Sequence, residues 1–290
     1  TGLQYTVTGS RERVVVAFRG STEAADWLAN FDFALEEGSS HGVAGRVHRG
    51  FARAVDVAFG ELERTVEAMR DHAQPIWFTG HSLGGAHAAL AAARWQSPTH
   101  VGGVYTFGAP RAGDARFASL LDARLSGRVV RVVNERDFVP HLPPTAQAAD
   151  AASRVLPFLR GAGASLVRAL DYAHPFAALK MPDAAGTRLS TTSSADGADD
   201  EAYWREISTH GTLGAIASQH AQAARHAPQR YLCRLHQIRQ AALAGAPAGA
   251  SPARDEAETR ARADNWALRV TRTIEAWDLV RRRGREPGQG

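Results

Sequence analysis

The chain has 290 residues, of which 44% are hydrophobic and 22% are charged, and it carries a formal net charge of +4. This balance can bury a sizeable core, which excludes an intrinsically disordered protein. The single cysteine, Cys233, excludes an intrachain disulfide and a cysteine-based zinc site, and we expect it to be a buried residue on a helix. No apolar run reaches the roughly 18 residues that cross a membrane, and no signal peptide is visible. We therefore expect a soluble protein and leave open whether it is cytoplasmic or secreted.

The positive charge comes almost entirely from arginine, because Lys180 is the only lysine. The arginines are spread among acidic residues and are not interleaved with aromatic residues, so we do not expect a nucleic-acid partner. A preference for arginine and alanine is typical of GC-rich genomes, which suggests a bacterial source.

Strand and helix patterns alternate along the first half of the chain. Short runs rich in β-branched residues predict strands over 13–18, 75–80, 101–108 and 128–134. Apolar residues spaced by three or four predict helices over 22–35, 51–72, 82–95 and 114–125. This alternation is typical of parallel βαβ units, so we predict an α/β fold with a mostly parallel central sheet and helices on both faces.

The second half is less regular. Residues 145–200 are predicted to be an irregular insertion with a weak strand near 186–190, inside a domain that covers 1–243. Its acidic cluster lacks the ligand spacing of a calcium loop, so we expect a solvated loop at Asp196, Asp199, Asp200 and Glu201. Residues 244–254 form a predicted Pro/Gly/Ala linker. An amphipathic helix over 255–283 is expected to dock on the core, with dimerisation or lipid-surface contact as alternatives.

The segment "FTGHSLGGAH" at 78–87 carries the strongest chemical signal. Gly80, Ser82 and Gly84 form a G-x-S-x-G pattern between a predicted strand and a predicted helix. Such a turn forces the serine into a strained backbone conformation and exposes its Oγ beside the amino end of the helix. We interpret Ser82 as a nucleophile, and the alternative is a glycine turn with an idle serine.

A serine nucleophile needs a base and an acid that orients the base. Asp137 lies just past the strand over 128–134 and fits the position of the acid. Among the twelve histidines, His226 lies just before Pro228, on a loop that leads into the last helix of the fold. His226 is therefore the preferred base, and His210 and His220 remain alternatives. His81, next to the serine, is expected to point away from it.

Five segments occur in the order known for one family of enzymes. They are "VVVAFRGS", "DWLANF", "VHRGF", "GHSLGGAHAAL" and "TFGAPRAGD…RVVNERDFVPHLPP", and weaker matches follow in "YAHPF" and "HAPQRY". Over about residues 3–235 the chain thus resembles the class 3 lipases, the fungal-type triacylglycerol lipases and their bacterial relatives. The resemblance implies an α/β-hydrolase fold with Ser82 as nucleophile, Asp137 as acid and His226 as base.

The resemblance also implies an oxyanion hole formed by the backbone N–H groups of Ser21 and Leu83. The helix with Asp26 and Trp27 takes the position of the family's lid, which covers an acyl groove in water and opens at a lipid surface. A fixed surface helix is the alternative. Compared with the family, we expect the given sequence to lack the N-terminal helix, the first strand and the fungal disulfides.

Together these features predict a serine carboxylic ester hydrolase that acts on lipid esters, with a triacylglycerol lipase preferred. A phospholipase A or a short-chain esterase on the same triad is the first alternative. A catalytically inactive lipid- or partner-binding module is the alternative from another class. The expected partners are a lipid ester and, transiently, a lipid surface. No metal or organic cofactor is expected, and the oligomeric state is left open.

Overall fold

The computed structural model describes residues 2–21, 33–71, 73–134, 137–156, 163–175, 178–181, 190–191, 196–209 and 226–244. The strands in these ranges are β1 (Tyr5–Gly9), β2 (Val14–Phe18), β3 (Leu35–Glu37), β4 (Arg46–His48), β5 (Ile76–His81), β6 (Val101–Phe107), β7 (Gly113–Asp114), β8 (Val129–Asn134), β9 (Tyr172–Ala173), β10 (Ala178–Met181) and β11 (Ser190–Thr191). The α-helices are α1 (Arg49–Met69), α2 (Leu83–Arg94), α3 (Ala115–Leu125), α4 (Ala149–Val155), α5 (Gly163–Leu170), α6 (Asp196–Thr209) and α7 (Pro228–Ala244).

A mostly parallel sheet forms the centre of the fold. Its strands follow the order β1-β2-β5-β6-β8-β10-β11, and the five inner strands run parallel to one another. The register pairs Phe18 with Gly80 and Phe107 with Val132, so β2, β5, β6 and β8 end close together. The carboxyl edge of such a sheet is where ligands bind in open α/β folds. The predicted α/β architecture is therefore confirmed.

Successive residues of a strand point to opposite faces of the sheet, and both faces carry apolar side chains. Helices therefore pack on both faces. One face packs against α1, α2 and α3 through buried residues that include Val14, Val16, Phe78, Val104, Phe117 and Leu121. The opposite face packs against α7 through Tyr105, Phe107, Val132, Tyr231 and Leu235. The two layers fix the positions of the strand ends and of the loop that precedes α7.

Several elements differ from the sequence-based expectations. Leu35 belongs to β3, which pairs antiparallel with β4, so the helix predicted over 22–35 does not extend to its last residue. An edge strand, β1, precedes β2 although no strand was predicted there. The segment 145–200, expected to be irregular, contains α4, α5 and β10 and the beginning of α6. These helices bury a separate apolar cluster that includes Ala148, Ala152, Val167 and Trp204.

Cys233 lies on α7, as predicted, but its side chain is exposed rather than buried. Tyr231 and Leu235 face the sheet, and Cys233, midway between them, therefore points to the other side of the helix. Within the described ranges, no helix is both long enough and apolar enough to cross a membrane. The predicted linker beyond residue 244 and the predicted helix over 255–283 lie outside those ranges.

The acidic cluster was predicted to be a solvated loop, but its residues lie on α6 and one of them, Asp200, is buried. Asp200 is fully buried on α6, and its Oδ1 lies 3.3 Å from Nη2 of the buried Arg111. The same oxygen lies 2.9 Å from His141 Nδ1, and Oδ2 accepts a 2.7 Å hydrogen bond from the Thr145 N–H. The His141 ring stacks on Tyr203 at 3.7 Å. Asp200 therefore ties α6 to the loop that follows β8.

Replacing Asp200 with alanine is expected to lower the free energy of unfolding by about 3–5 kcal/mol. The change removes one partner of the buried ion pair with Arg111 and the buried acceptor of the Thr145 N–H. Urea unfolding followed by circular dichroism measures the effect. The matched control is Asp199→Ala, because Asp199 pairs with Lys180 at 3.2 Å with both side chains about a third exposed. This control should lose less than about 1 kcal/mol, and equal losses in the two variants would contradict the prediction.

Candidate active site

Ser82 occupies a strained turn between β5 and α2. Its φ of 57° and ψ of −133° place it outside the regions that residues with a Cβ usually adopt. Its N–H donates a 2.9 Å hydrogen bond to the Phe107 carbonyl. A Cβ on Gly80 would collide with the backbone of Gly84, and a Cβ on Gly84 would collide with the Phe18 carbonyl. The two glycines therefore allow the tight approach that holds this turn in place.

Asp137 and His226 form a buried pair. His226 Nδ1 lies 2.8 Å from Asp137 Oδ2, and both residues are almost completely shielded from solvent. Asp137 Oδ1 accepts a 3.0 Å hydrogen bond from the Val139 N–H, which fixes the carboxylate in the loop after β8. Burial acts to raise the pKa of Asp137, but the charge of His226 and three hydrogen bonds outweigh it and the pKa is lowered. Asp137 is therefore an anion poised beside an imidazole.

The serine turn and the Asp137–His226 pair lie next to each other. The ring of His81, the residue before Ser82, lies 4.5 Å from the His226 ring between centroids. Ser82 Oγ and His226 Nε2 are both buried, and neither has a hydrogen-bond partner among the described residues. His226 thus presents Nδ1 to the carboxylate, and its Nε2 is not engaged by another side chain among the described residues.

Tyr231 is a member of this site that sequence reasoning missed. Its hydroxyl donates a 2.6 Å hydrogen bond to Asp137 Oδ2 and accepts a 3.0 Å bond from the Asn134 N–H. Burial, and then the charge of Asp137, raise the pKa of Tyr231 well above its usual value, so the hydroxyl stays protonated. Gly108, at φ 56°, makes room for the pair, since a Cβ there would lie 2.7 Å from Asp137 Oδ2. In the sequence, Tyr231 is marked only by the weak family match in "HAPQRY", of which it is the last residue.

The remaining predicted site residues are placed in part. A Cβ built on Gly20 would lie 3.2 Å from Ser82 Cβ, so the backbone that leads into Ser21 passes beside the serine. Leu83 is the first residue of α2. The oxyanion roles of Ser21 and Leu83 stay predictions. The predicted lid residues Asp26 and Trp27, and the alternative bases His210 and His220, lie outside the described residues.

A metal-dependent chemistry was not expected at this site. Across the described ranges, no three histidine, cysteine or carboxylate side chains are grouped so that they could hold a metal ion.

Two buried histidines make the fold sensitive to acid. Burial, and then the charge of a neighbouring histidine, lower the pKa of His81 and of His87 from 6.5 to about 3. Between pH 6.5 and about 3 the unfolded chain takes up a proton at each site and the folded chain does not. Stability therefore falls as the pH falls through this window, by about 1.4 kcal/mol per pH unit for each histidine.

The variant His87→Phe is expected to reduce the pH dependence of the unfolding free energy by about 1.4 kcal/mol per pH unit between about pH 6 and 4. His87 lies on α2 and its ring contacts Phe18 and Phe51, so phenylalanine suits its surroundings. Urea unfolding at a series of pH values gives the slope. His100→Phe is the control, because His100 is the last residue of the short 3-10 helix Pro98–His100 and is only partly buried. An unchanged slope in His87→Phe would contradict the prediction that His87 is neutral in the folded chain.

Comparison with known proteins agrees with the geometry. Residues 15–147 match the family model described as Lipase (class 3). Secreted mono- and diacylglycerol lipase 1 of Fusarium solani is 35% identical over 146 residues, which cover 49% of this chain and 43% of that protein. Phospholipase A1-IIalpha of Arabidopsis thaliana is 30% identical over 169 residues, which cover 46% of this chain and 39% of that protein. The chain thus spans less than half of the length of these curated relatives.

A solved structure of Rhizomucor miehei lipase in its propeptide complex superposes with a TM-score of 0.53 at 28% identity. The superposition covers 73% of this chain and 63% of that one. It confirms the predicted α/β-hydrolase fold, whose mostly parallel sheet is described above. Residues 15–147 thus match the class 3 lipase family, and the chain shares the fold of a solved Rhizomucor miehei lipase.

Proposed function

We propose that this chain is a serine hydrolase of lipid esters that works through Ser82, His226 and Asp137. The observation that carries the proposal is the buried 2.8 Å hydrogen bond between His226 and Asp137 beside the strained Ser82 turn. A structural role alone does not require a serine in left-handed backbone, a buried carboxylate and a buried imidazole at one strand edge. These three groups are the parts that acyl transfer needs.

The proposed reaction begins when Ser82 Oγ attacks the ester carbonyl and its proton moves to His226 Nε2. The negative charge of Asp137 stabilises the imidazolium that results. Backbone N–H groups of Ser21 and Leu83 stabilise the oxyanion of the tetrahedral intermediate. The imidazolium then protonates the leaving alcohol, which departs and leaves an acyl group on Ser82. Water, activated by His226, releases the fatty acid by the same steps.

The substrate class is also a proposal. The relatives named above carry the names of a mono- and diacylglycerol lipase and of a phospholipase A1, and both names refer to esters of fatty acids with glycerol. We prefer a neutral acylglycerol, in particular a triacylglycerol, as the substrate. A phospholipid or a short-chain ester is the second candidate, favoured by the phospholipase match.

Two measurements test the proposal. A fluorophosphonate probe, which reacts with activated serines, is expected to label the native chain once, on the peptide that contains Ser82. Hydrolysis of p-nitrophenyl butyrate, octanoate and palmitate, followed by emulsified triolein and phosphatidylcholine vesicles, then assigns the substrate class. Triolein turnover above that of phosphatidylcholine is expected. A folded chain that is neither labelled nor active on any of these esters would overturn the proposal and favour a binding module.

A further inference from the structure

His81 makes contacts that its position in the chain did not suggest. It is the residue before Ser82, is expected from the sequence to point away from that serine, and is buried with 6% of its surface exposed. Its Nε2 lies 2.7 Å from the backbone carbonyl oxygen of His226, across 145 residues of sequence. Its ring lies 4.5 Å from the His226 ring and 5.4 Å from the Tyr231 ring. The side chain therefore points toward the base.

The hydrogen bond fixes which nitrogen of His81 carries the proton. A carbonyl oxygen only accepts, so Nε2 of His81 must be the donor. Burial lowers the pKa of His81 to about 3, and His226 acts in the same direction, so the ring is neutral at ordinary pH. A neutral ring beside His226 does not oppose the positive charge that the base acquires during acyl transfer.

His226 is consequently held at two points. Its side chain is fixed by Asp137 through Nδ1, and its backbone is fixed by His81 through the carbonyl oxygen. His81 and Ser82 are neighbours in one rigid turn, in which the Ser82 N–H is bonded to Phe107 and Gly84 packs against β2. Any displacement of that turn therefore moves Ser82 together with the His81 side chain that holds the backbone of His226.

We propose that His81 is a positioning residue, which keeps the Nε2 atom of His226 in register with Ser82 Oγ by holding the backbone of residue 226. This inference rests on the proposed function, since it needs Ser82 and His226 as the reacting pair. Reacting groups must be aligned to within a fraction of an ångström, and small displacements of a base cost large factors in rate.

The test compares two side chains of similar length. His81→Gln keeps an N–H donor that can reach the His226 carbonyl, and His81→Met removes the donor but fills the same space. In His81→Met we expect kcat for p-nitrophenyl octanoate and the rate of fluorophosphonate labelling to fall by about 10- to 100-fold, with KM within about threefold. His81→Gln should recover at least a few-fold of this loss. His87→Met, at another buried neutral histidine nearby, is the control and should keep the wild-type labelling rate.

The outcomes separate this inference from the proposed function. If the wild-type chain is labelled on Ser82 and a folded His81→Met variant reacts at the same rate, the positioning role is wrong and the hydrolase proposal stands. If the wild-type chain is not labelled, the proposed function itself fails. Equal losses of kcat in His81→Gln and His81→Met would also overturn a role for the hydrogen bond that His81 donates to the His226 carbonyl. Should His81→Met not fold, His81→Phe, which keeps a flat ring against His226 and Tyr231, replaces it in the comparison.

Discussion

Replacing Ser82 with alanine is expected to lower kcat for ester hydrolysis by about 10⁵-fold while leaving the fold intact. The substitution removes the proposed nucleophilic oxygen, so that only the proposed oxyanion donors and substrate binding would supply a residual rate. Alanine and serine share the same Cβ, so the strained φ of 57° costs about the same in both. Hydrolysis of p-nitrophenyl octanoate, together with the melting temperature, measures the effect.

A second serine provides the control for this substitution. Ser126 also has a positive φ, 46°, at the end of α3, and its hydroxyl donates to the Ala123 carbonyl at 3.2 Å. Ser126→Ala removes the same hydroxyl at another residue with a positive φ and should retain full turnover. If Ser82→Ala kept more than about a tenth of the wild-type kcat, Ser82 would not be the nucleophile and the mechanism would be wrong.

The second large effect is expected from Asp137→Asn, which should lower kcat by about 10⁴-fold. Asp137 Oδ1 accepts from the Val139 N–H, so the amide oxygen of asparagine will take that position. The amide nitrogen then stands where Oδ2 accepts from His226, and it donates to Nδ1. This selects the imidazole tautomer with its proton on Nε2, which cannot accept a proton from Ser82.

The loss of kcat in Asp137→Asn is thus expected from proton placement, and circular dichroism checks that the variant is folded. Because the amide nitrogen also replaces the oxygen that accepts from the Tyr231 hydroxyl, the melting temperature is expected to fall below that of the wild type. Asp150→Asn, at a carboxylate that is 69% exposed and paired with Arg168, is the control and should retain full activity. A kcat within about tenfold of the wild type in Asp137→Asn would show that the carboxylate does not orient the base.

Four of the five inner strands of the sheet could be predicted because each is a short apolar run bounded by polar or glycine residues, whereas β10 lies in the segment that was expected to be irregular. β2, β5, β6 and β8 lie within about two residues of their predicted bounds. The small antiparallel sheet of β3, β4, β7 and β9 could not be predicted, since its strands have only two or three residues and are defined by partners far along the chain. β1 has a half-buried pattern without a strong apolar signal.

The candidate site likewise has one part that could be predicted from the sequence and one part that could not. Ser82 and Asp137 are marked by local patterns, a G-x-S-x-G turn and a carboxylate just past a strand end. The contacts of His81, Tyr231 and Asp200 are not local, because burial of a polar side chain depends on the elements that pack over it. His81 and Tyr231 meet their partners across 145 and 94 residues, and periodicity in the sequence carries no information on such pairings.

Cys233 gives this chain a practical advantage for studying motion. It is the only cysteine in the sequence, it is exposed, and it lies two residues beyond Tyr231 on the opposite side of α7. A fluorescent or spin label on its thiol would therefore sit on the outer surface of the helix whose inner surface contacts Asp137. Changes in the label's signal when a lipid surface or an inhibitor is added would report movement of α7 without a second cysteine to remove.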